Sequence, residues 1–132
     1  ERDNATVTDR RIYLKTVPAK MAFNVTEITI KAGRKYQFIL ENPDLMLHNL
    51  VITQPGKESA VGEMADAMAS RPDAMAKHYV PDTDMIIFST PQIAHGQKVE
   101  LTFATPNMPG RYPFICTFPG HWRMMRGVII VE

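Results

Sequence analysis

A cysteine, a histidine and two methionines crowd into one short loop, Cys116-Thr-Phe-Pro-Gly-His121-Trp-Arg-Met124-Met125, between two apolar runs. A thiolate, an imidazole and a thioether form a soft donor set that suits copper. The loop does not complete a trigonal site by itself, because that geometry needs a second imidazole in the same plane. The best-placed one is His48, in Leu45-Met46-Leu47-His48-Asn49-Leu50-Val51-Ile52, far upstream in the chain. Any fold for this sequence must therefore carry two distant loops to one place.

The intervening pattern supplies short strands. Ile12 to Val17 and Phe23 to Ile30 alternate apolar with polar residues, and Ala32-Gly33 turns the chain into a half-buried strand carrying Tyr36, Phe38 and Leu40. Asn42-Pro43-Asp44 breaks that strand with turn chemistry. His48, Leu50 and Ile52 then share one face of the next strand, which Pro55-Gly56 ends. Met85 to Phe88, Val99 to Phe103 and Tyr112 to Cys116 repeat the strand pattern, and Val128 to Val131 suits an interior final strand.

Between residues 57 and 79 the period changes to that of a helix, with Ala60, Met64, Ala67 and Met68 in step. Ser70-Arg71-Pro72-Asp73 reads as a capping box that starts a second short helix through Lys77. The expectation is one all-β domain spanning residues 1–132, a Greek-key β-sandwich or barrel with a helical insertion around residues 57–79. Greek-key connections gather loops from distant strands at one end, which is what the two donor loops require.

Composition narrows the function. At 45% hydrophobic and 22% charged residues the chain is an ordinary globular sequence, not a disordered one. Fifteen basic residues against 14 acidic ones, with a net charge of +1, leave no basic stripe for nucleic acid. The lone cysteine rules out an internal disulfide, and no apolar run reaches the roughly 18 residues of a membrane-spanning helix. The charged start, Glu1-Arg2-Asp3, fits either removal of a leader or a cut from a longer chain. His78, in the helical insertion, and His95, in a turn, read as solvated side chains. Paired catalytic carboxylates, a phosphate-binding loop and a nucleophile with a positioned base are not recognisable.

Cys116-Thr-Phe-Pro-Gly-His121 followed by Met125-Arg-Gly127, with His48-Asn49 upstream, resembles the type 1 blue copper proteins of the azurin and auracyanin group of cupredoxins. The resemblance runs from about Val25 to Glu132. It implies His48, Cys116 and His121 as equatorial copper ligands and Met125 as the axial one. It also implies that Asn49 ties the two ligand loops together, that amides near Asn49 and Phe118 donate to the cysteine sulfur, and that Pro119 stiffens the loop. Two departures stand out: Leu47 replaces the glycine that precedes the first histidine in azurins, and the azurin disulfide has no counterpart.

The function implied is one-electron shuttling between Cu(I) and Cu(II), with no bond chemistry on a substrate. The alternatives are an electron-accepting domain of a larger oxidoreductase and a copper carrier or storage protein. Leu45, Met46, Leu47, Phe118, Pro119 and Trp122 flank the two histidines and are expected to form an exposed apolar patch, edged by Arg123 and Arg126. The partners expected there are c-type cytochromes or another haem or redox domain, with the edge of the His121 ring emerging in the patch. The family places such a protein outside the cytoplasm.

Overall fold

The structure, a computed structural model, describes residues 7–132. Nine strands and one helix follow in the order β1 (Val7–Thr8), β2 (Arg11–Lys15), β3 (Glu27–Ile30), β4 (Lys35–Glu41), β5 (Val51–Thr53), α1 (Glu58–Met68), β6 (Ile86–Ser89), β7 (Lys98–Ala104), β8 (Gly110–Ile115) and β9 (Arg126–Val131). They make two facing sheets, one ordered β1-β2-β4-β7 and the other β3-β9-β8-β5-β6. The Glu1-Arg2-Asp3 start lies outside the described residues. No helix among the described residues is long and apolar enough to cross a membrane.

The alternation read from the sequence becomes the inner faces of the sandwich. Ile12 and Leu14 on β2, Phe38 and Leu40 on β4, Ile28 and Ile30 on β3, and Ile129 and Val131 on β9 meet in one core with Phe114. Each such side chain, fully buried, contributes about 1.5–3 kcal/mol of transfer free energy. Strands β2 and β4 run parallel with Ile12 opposite Phe38, so their buried residues stack on the same side.

Strand β8 is buried from Tyr112 through Ile115 because both of its faces are covered. Tyr112, Phe114 and Cys116 face the sandwich core, whereas Ile115 joins Val51, Val61 and Trp122 in a second cluster beneath α1. The helix thus lies on the outer face of the second sheet.

This topology sets where the two donor loops go. Strands β5 and β8 are antiparallel, with Val51 opposite Ile115 and Ile52 opposite Phe114. The start of β5 therefore lies beside the end of β8. His48, three residues before β5, is bridged to Ile93, and Cys116 follows β8 directly.

The helical insertion departs from expectation in its second half. Residues 69–79 form consecutive turns, not a second helix from Ser70 to Lys77. Pro72 stops α1 from running on, because it has no N–H to donate to the Met68 carbonyl, and its ring disfavours at Arg71 the helical geometry that a helix capped by Ser70 would need in its first residue. The Arg71 N–H takes the Met68 carbonyl instead, at 2.9 Å. The segment ends with His78 and Tyr79 both in the left-handed region, at φ 58° and 57°.

Candidate metal centre

The loop between β8 and β9 is folded by its own backbone. Cys116 N–H donates to the Met125 carbonyl at 3.0 Å, Met125 N–H to the His121 carbonyl at 2.8 Å, and His121 N–H to the Phe118 carbonyl at 3.0 Å. Gly120 supplies the positive φ of 86° that this reversal needs. Gly127 allows β9 to pass against Phe114, since a Cβ there would overlap the Phe114 ring and the Thr26 carbonyl. The result places Cys116 and Met125 side by side, both with no solvent exposure.

Three donors converge at this end. Cys116 Sγ lies 3.8 Å from His48 Nδ1 and 3.6 Å from His121 Nδ1. All three atoms fall within 4.8 Å of one another, and all three residues are buried. Imidazole nitrogens and thiolate sulfurs bind a divalent ion such as zinc at about 2.0 and about 2.3 Å, so two such bonds splayed by about 120° set N and S about 3.7 Å apart. The observed edges fit a single ion held in a trigonal cage. Met125 is fully buried in the same core cluster, whereas its neighbour Met124 is 66% exposed.

Protonation in the cage follows from its burial. Burial pushes the Cys116 thiol up to about 11, against hydrogen bonds from the Asn49 and Phe118 backbone amides that favour the thiolate. His121 is pushed down to about 4 by burial and by the neighbouring His48, with Asp44 opposing. At neutral pH the metal-free cage therefore holds a neutral imidazole at His121 and a thiol whose proton a metal would displace.

The surrounding polar groups brace the two loops. Asn49 Oδ1 accepts from the Thr117 N–H at 2.8 Å, and its Nδ2 donates to Thr117 Oγ1 at 2.8 Å and to the His78 carbonyl at 2.9 Å. On the far side of His48, its Nε2 lies 2.7 Å from the Asp44 carboxylate. That hydrogen bond first, and one from the Ala19 backbone second, hold Asp44 down to about 2 despite its burial. Asp44 was not among the residues that sequence reasoning singled out; the Asp44-x3-His48 spacing was its only signal.

The other site residues divide. Phe118 and Pro119 are half-buried, with the Phe118 ring 4.8 Å from that of His121. Leu45 is 82% and Met46 46% exposed, and Leu47 is partly exposed. Trp122 does not join an exposed patch: it is 5% exposed and seated on Gly62 of α1, with its Nε1 donating to Asp66 at 3.1 Å. The indole is the apolar mass that fills the space beneath the helix, and burying it there outweighs leaving it at the rim. Arg123 lies over the indole at 4.4 Å and pairs with Asp66, so its charge is partly spent inside the molecule. His121 is likewise only 2% exposed, so its ring edge does not emerge at the surface; its Nε2 has no hydrogen-bond partner. His78 and His95 are exposed, and their Nδ1 atoms meet the Gln92 N–H at 3.2 Å and the Asp44 carbonyl at 3.1 Å.

Comparison with known proteins agrees with the geometry. Residues 11–132 match the family model described as copper binding proteins, plastocyanin/azurin family. Auracyanin-A of Chloroflexus aurantiacus is 32% identical over 115 residues, covering 86% of this chain and 68% of that protein. Azurin of Pseudomonas aeruginosa is 32% identical over 122 residues, covering 86% and 79%. Among solved structures, the "blue" copper protein auracyanin A from Chloroflexus aurantiacus superposes with a TM-score of 0.83 at 31% identity, covering 92% of this chain and 98% of that one. The dithionite-reduced auracyanin of Roseiflexus castenholzii gives 0.82 at 28% identity, covering 96% and 99%. With a buried His-Cys-His cage and a buried methionine beside it, the chain belongs to the plastocyanin/azurin family of copper-binding proteins.

Proposed function

We propose that this protein carries single electrons between redox partners, with His48, Cys116 and His121 as the residues that would hold one copper ion and the buried Met125 thioether as a further, weaker donor. The observation that carries this reading is the convergence of one sulfur and two ring nitrogens within 4.8 Å in a fully buried cage. Copper bound there supplies a one-electron couple between Cu(I) and Cu(II). The protein's own contribution is to bind, orient and exclude water. Burial keeps solvent from the cage, the Asn49 and Phe118 amides stabilise the thiolate, and the Asn49–Thr117 hydrogen bonds with Pro119 limit relaxation of the loops. A cage that barely moves adds little reorganisation to each transfer. In this reading the chain is an electron carrier that transforms no substrate.

The exposed apolar surface of Leu45 and Met46, continued by Leu47, Phe118 and Pro119, is the docking face in this reading. His121 is the exit route, because its Nε2 is unpartnered whereas that of His48 is taken by Asp44. The partners are extracytoplasmic redox proteins such as c-type cytochromes, held in weak, transient complexes. Met46→Lys is expected to slow electron exchange with a reduced c-type cytochrome in stopped-flow mixing while leaving the copper spectrum unchanged. Unaltered exchange removes the docking face, and failure of the wild type to accept one electron per copper removes the function.

A further inference from the structure

Asp44 is 5% exposed, and both of its carboxylate oxygens are committed. Oδ1 accepts from the Ala19 N–H at 2.8 Å, and Oδ2 lies 2.7 Å from His48 Nε2. The turn that carries it is itself anchored: Asp44 N–H donates to Asn42 Oδ1 at 3.1 Å, the same oxygen accepts from Thr16 Oγ1 at 2.7 Å, and Asn42 Nδ2 donates to the Met46 and Ile93 carbonyls at 2.8 and 2.9 Å. Ala19 presents its N–H from a left-handed conformation, φ 64°, which a non-glycine residue adopts only under constraint. A carboxylate so placed accepts hydrogen bonds and donates none, so the hydrogen between it and His48 belongs to the ring.

We infer that Asp44 is a positioning residue for the metal cage: it fixes His48 as the Nε2–H tautomer, leaving the Nδ1 lone pair facing Cys116 Sγ before any metal arrives. This rests on the copper reading of the cage given above. It adds a buried negative charge one hydrogen bond behind a ligand, which favours Cu(II) over Cu(I) and lowers the reduction potential. An asparagine cannot replace it. With its oxygen on the Ala19 N–H, its amide group faces His48 Nε2 as a donor and selects the opposite tautomer; flipped, it sets two donors against each other at Ala19.

The tautomer of His48 is measurable in the metal-free protein at pH 8, from long-range nitrogen–proton correlations of the imidazole ring. The wild type is expected to show a protonated Nε2 and a bare Nδ1; a protonated Nδ1 overturns the inference without any variant being needed. Asp44→Asn, loaded with copper, is expected to lose about 10–100-fold in Cu(II) affinity and to shift to a higher reduction potential. If it folds and binds copper with wild-type affinity and potential, Asp44 merely braces the turn and the inference fails. If the wild-type tautomer is as expected but no thiolate–copper colour forms, the inference stands for the cage and the copper reading fails instead.

Discussion

Gly62→Ala tests the seating of Trp122, and through it the placement of the ligand loop. An alanine in a helix interior is ordinarily stabilising over glycine by about 1 kcal/mol. Here a Cβ at position 62 would overlap indole atoms Cδ2, Cε2 and Cε3, so the ring must retreat by roughly 1.4 Å to restore carbon–carbon separations of about 3.5 Å. It has little room to do so, being held by Asp66 at its Nε1 and covered by Arg123 at 4.4 Å. Overpacking of this kind costs about 1–3 kcal/mol, and the hard overlap puts this site at the upper end. The net expectation is a loss of about 2 kcal/mol, which for a chain of 132 residues lowers Tm by about 7 °C. Urea unfolding of the metal-free protein, followed by far-UV circular dichroism, reads the change without contribution from bound copper. In a Trp122→Leu background, where the indole is gone, the same Gly62→Ala change should turn stabilising. Stabilisation by about 1 kcal/mol in both backgrounds would refute the packing of Trp122 on the helix.

Met125→Leu is expected to keep copper and most of its colour while raising the reduction potential, by loss of a weak donor that favours Cu(II); Met124→Leu, at an exposed position, should leave spectrum and voltammogram unaltered. Copper uptake at pH 9 should release close to one proton per ion from a Cys116 thiol held up at about 11. An ordinary thiol, with a pKa of about 8.5, would release only about a quarter of a proton under the same titration in weak buffer. Acid unfolding carries the sign of Asp44: its pKa is depressed to about 2, so its contribution is present above the ordinary carboxylate range and is lost as pH falls through 2. Asp44→Asn should flatten that part of the stability–pH curve.

The ligand loop was legible because its donors lie close together in sequence and have few structural reasons to do so. His48 was legible as the upstream imidazole beside a turn, although the strand expected to begin at it starts only at Val51 and His48 itself makes an isolated bridge to Ile93. Trp122 was not, although it adjoins His121. Adjacent residues in a tight turn leave in opposite directions, and only the path of α1 decides that the indole has a helix to lie under. Gly62, set between Val61 and Glu63 in a helix otherwise rich in Ala, Glu and Met, was the available sign of that close approach. The cap spacing of Ser70 to Asp73 suggests a second helix with a proline tolerated in its first turn, but with Ser70 as the cap Pro72 falls at the second helical position and disfavours helical geometry at Arg71 before it. Asp44 looked like turn chemistry alone. Its reach to His48 depends on Ala19, a residue from another loop whose approach no local pattern encodes.

Adding one equivalent of Cu(II) to the metal-free protein and recording the visible spectrum tests the cage most directly. The three convergent donors predict an intense thiolate-to-copper band that saturates at one copper per chain, bleaches with a mild reductant, returns on reoxidation, and is lost in Cys116→Ser. A weak, purely ligand-field spectrum, or an intense band that survives Cys116→Ser, would contradict a copper site built on Cys116 between His48 and His121.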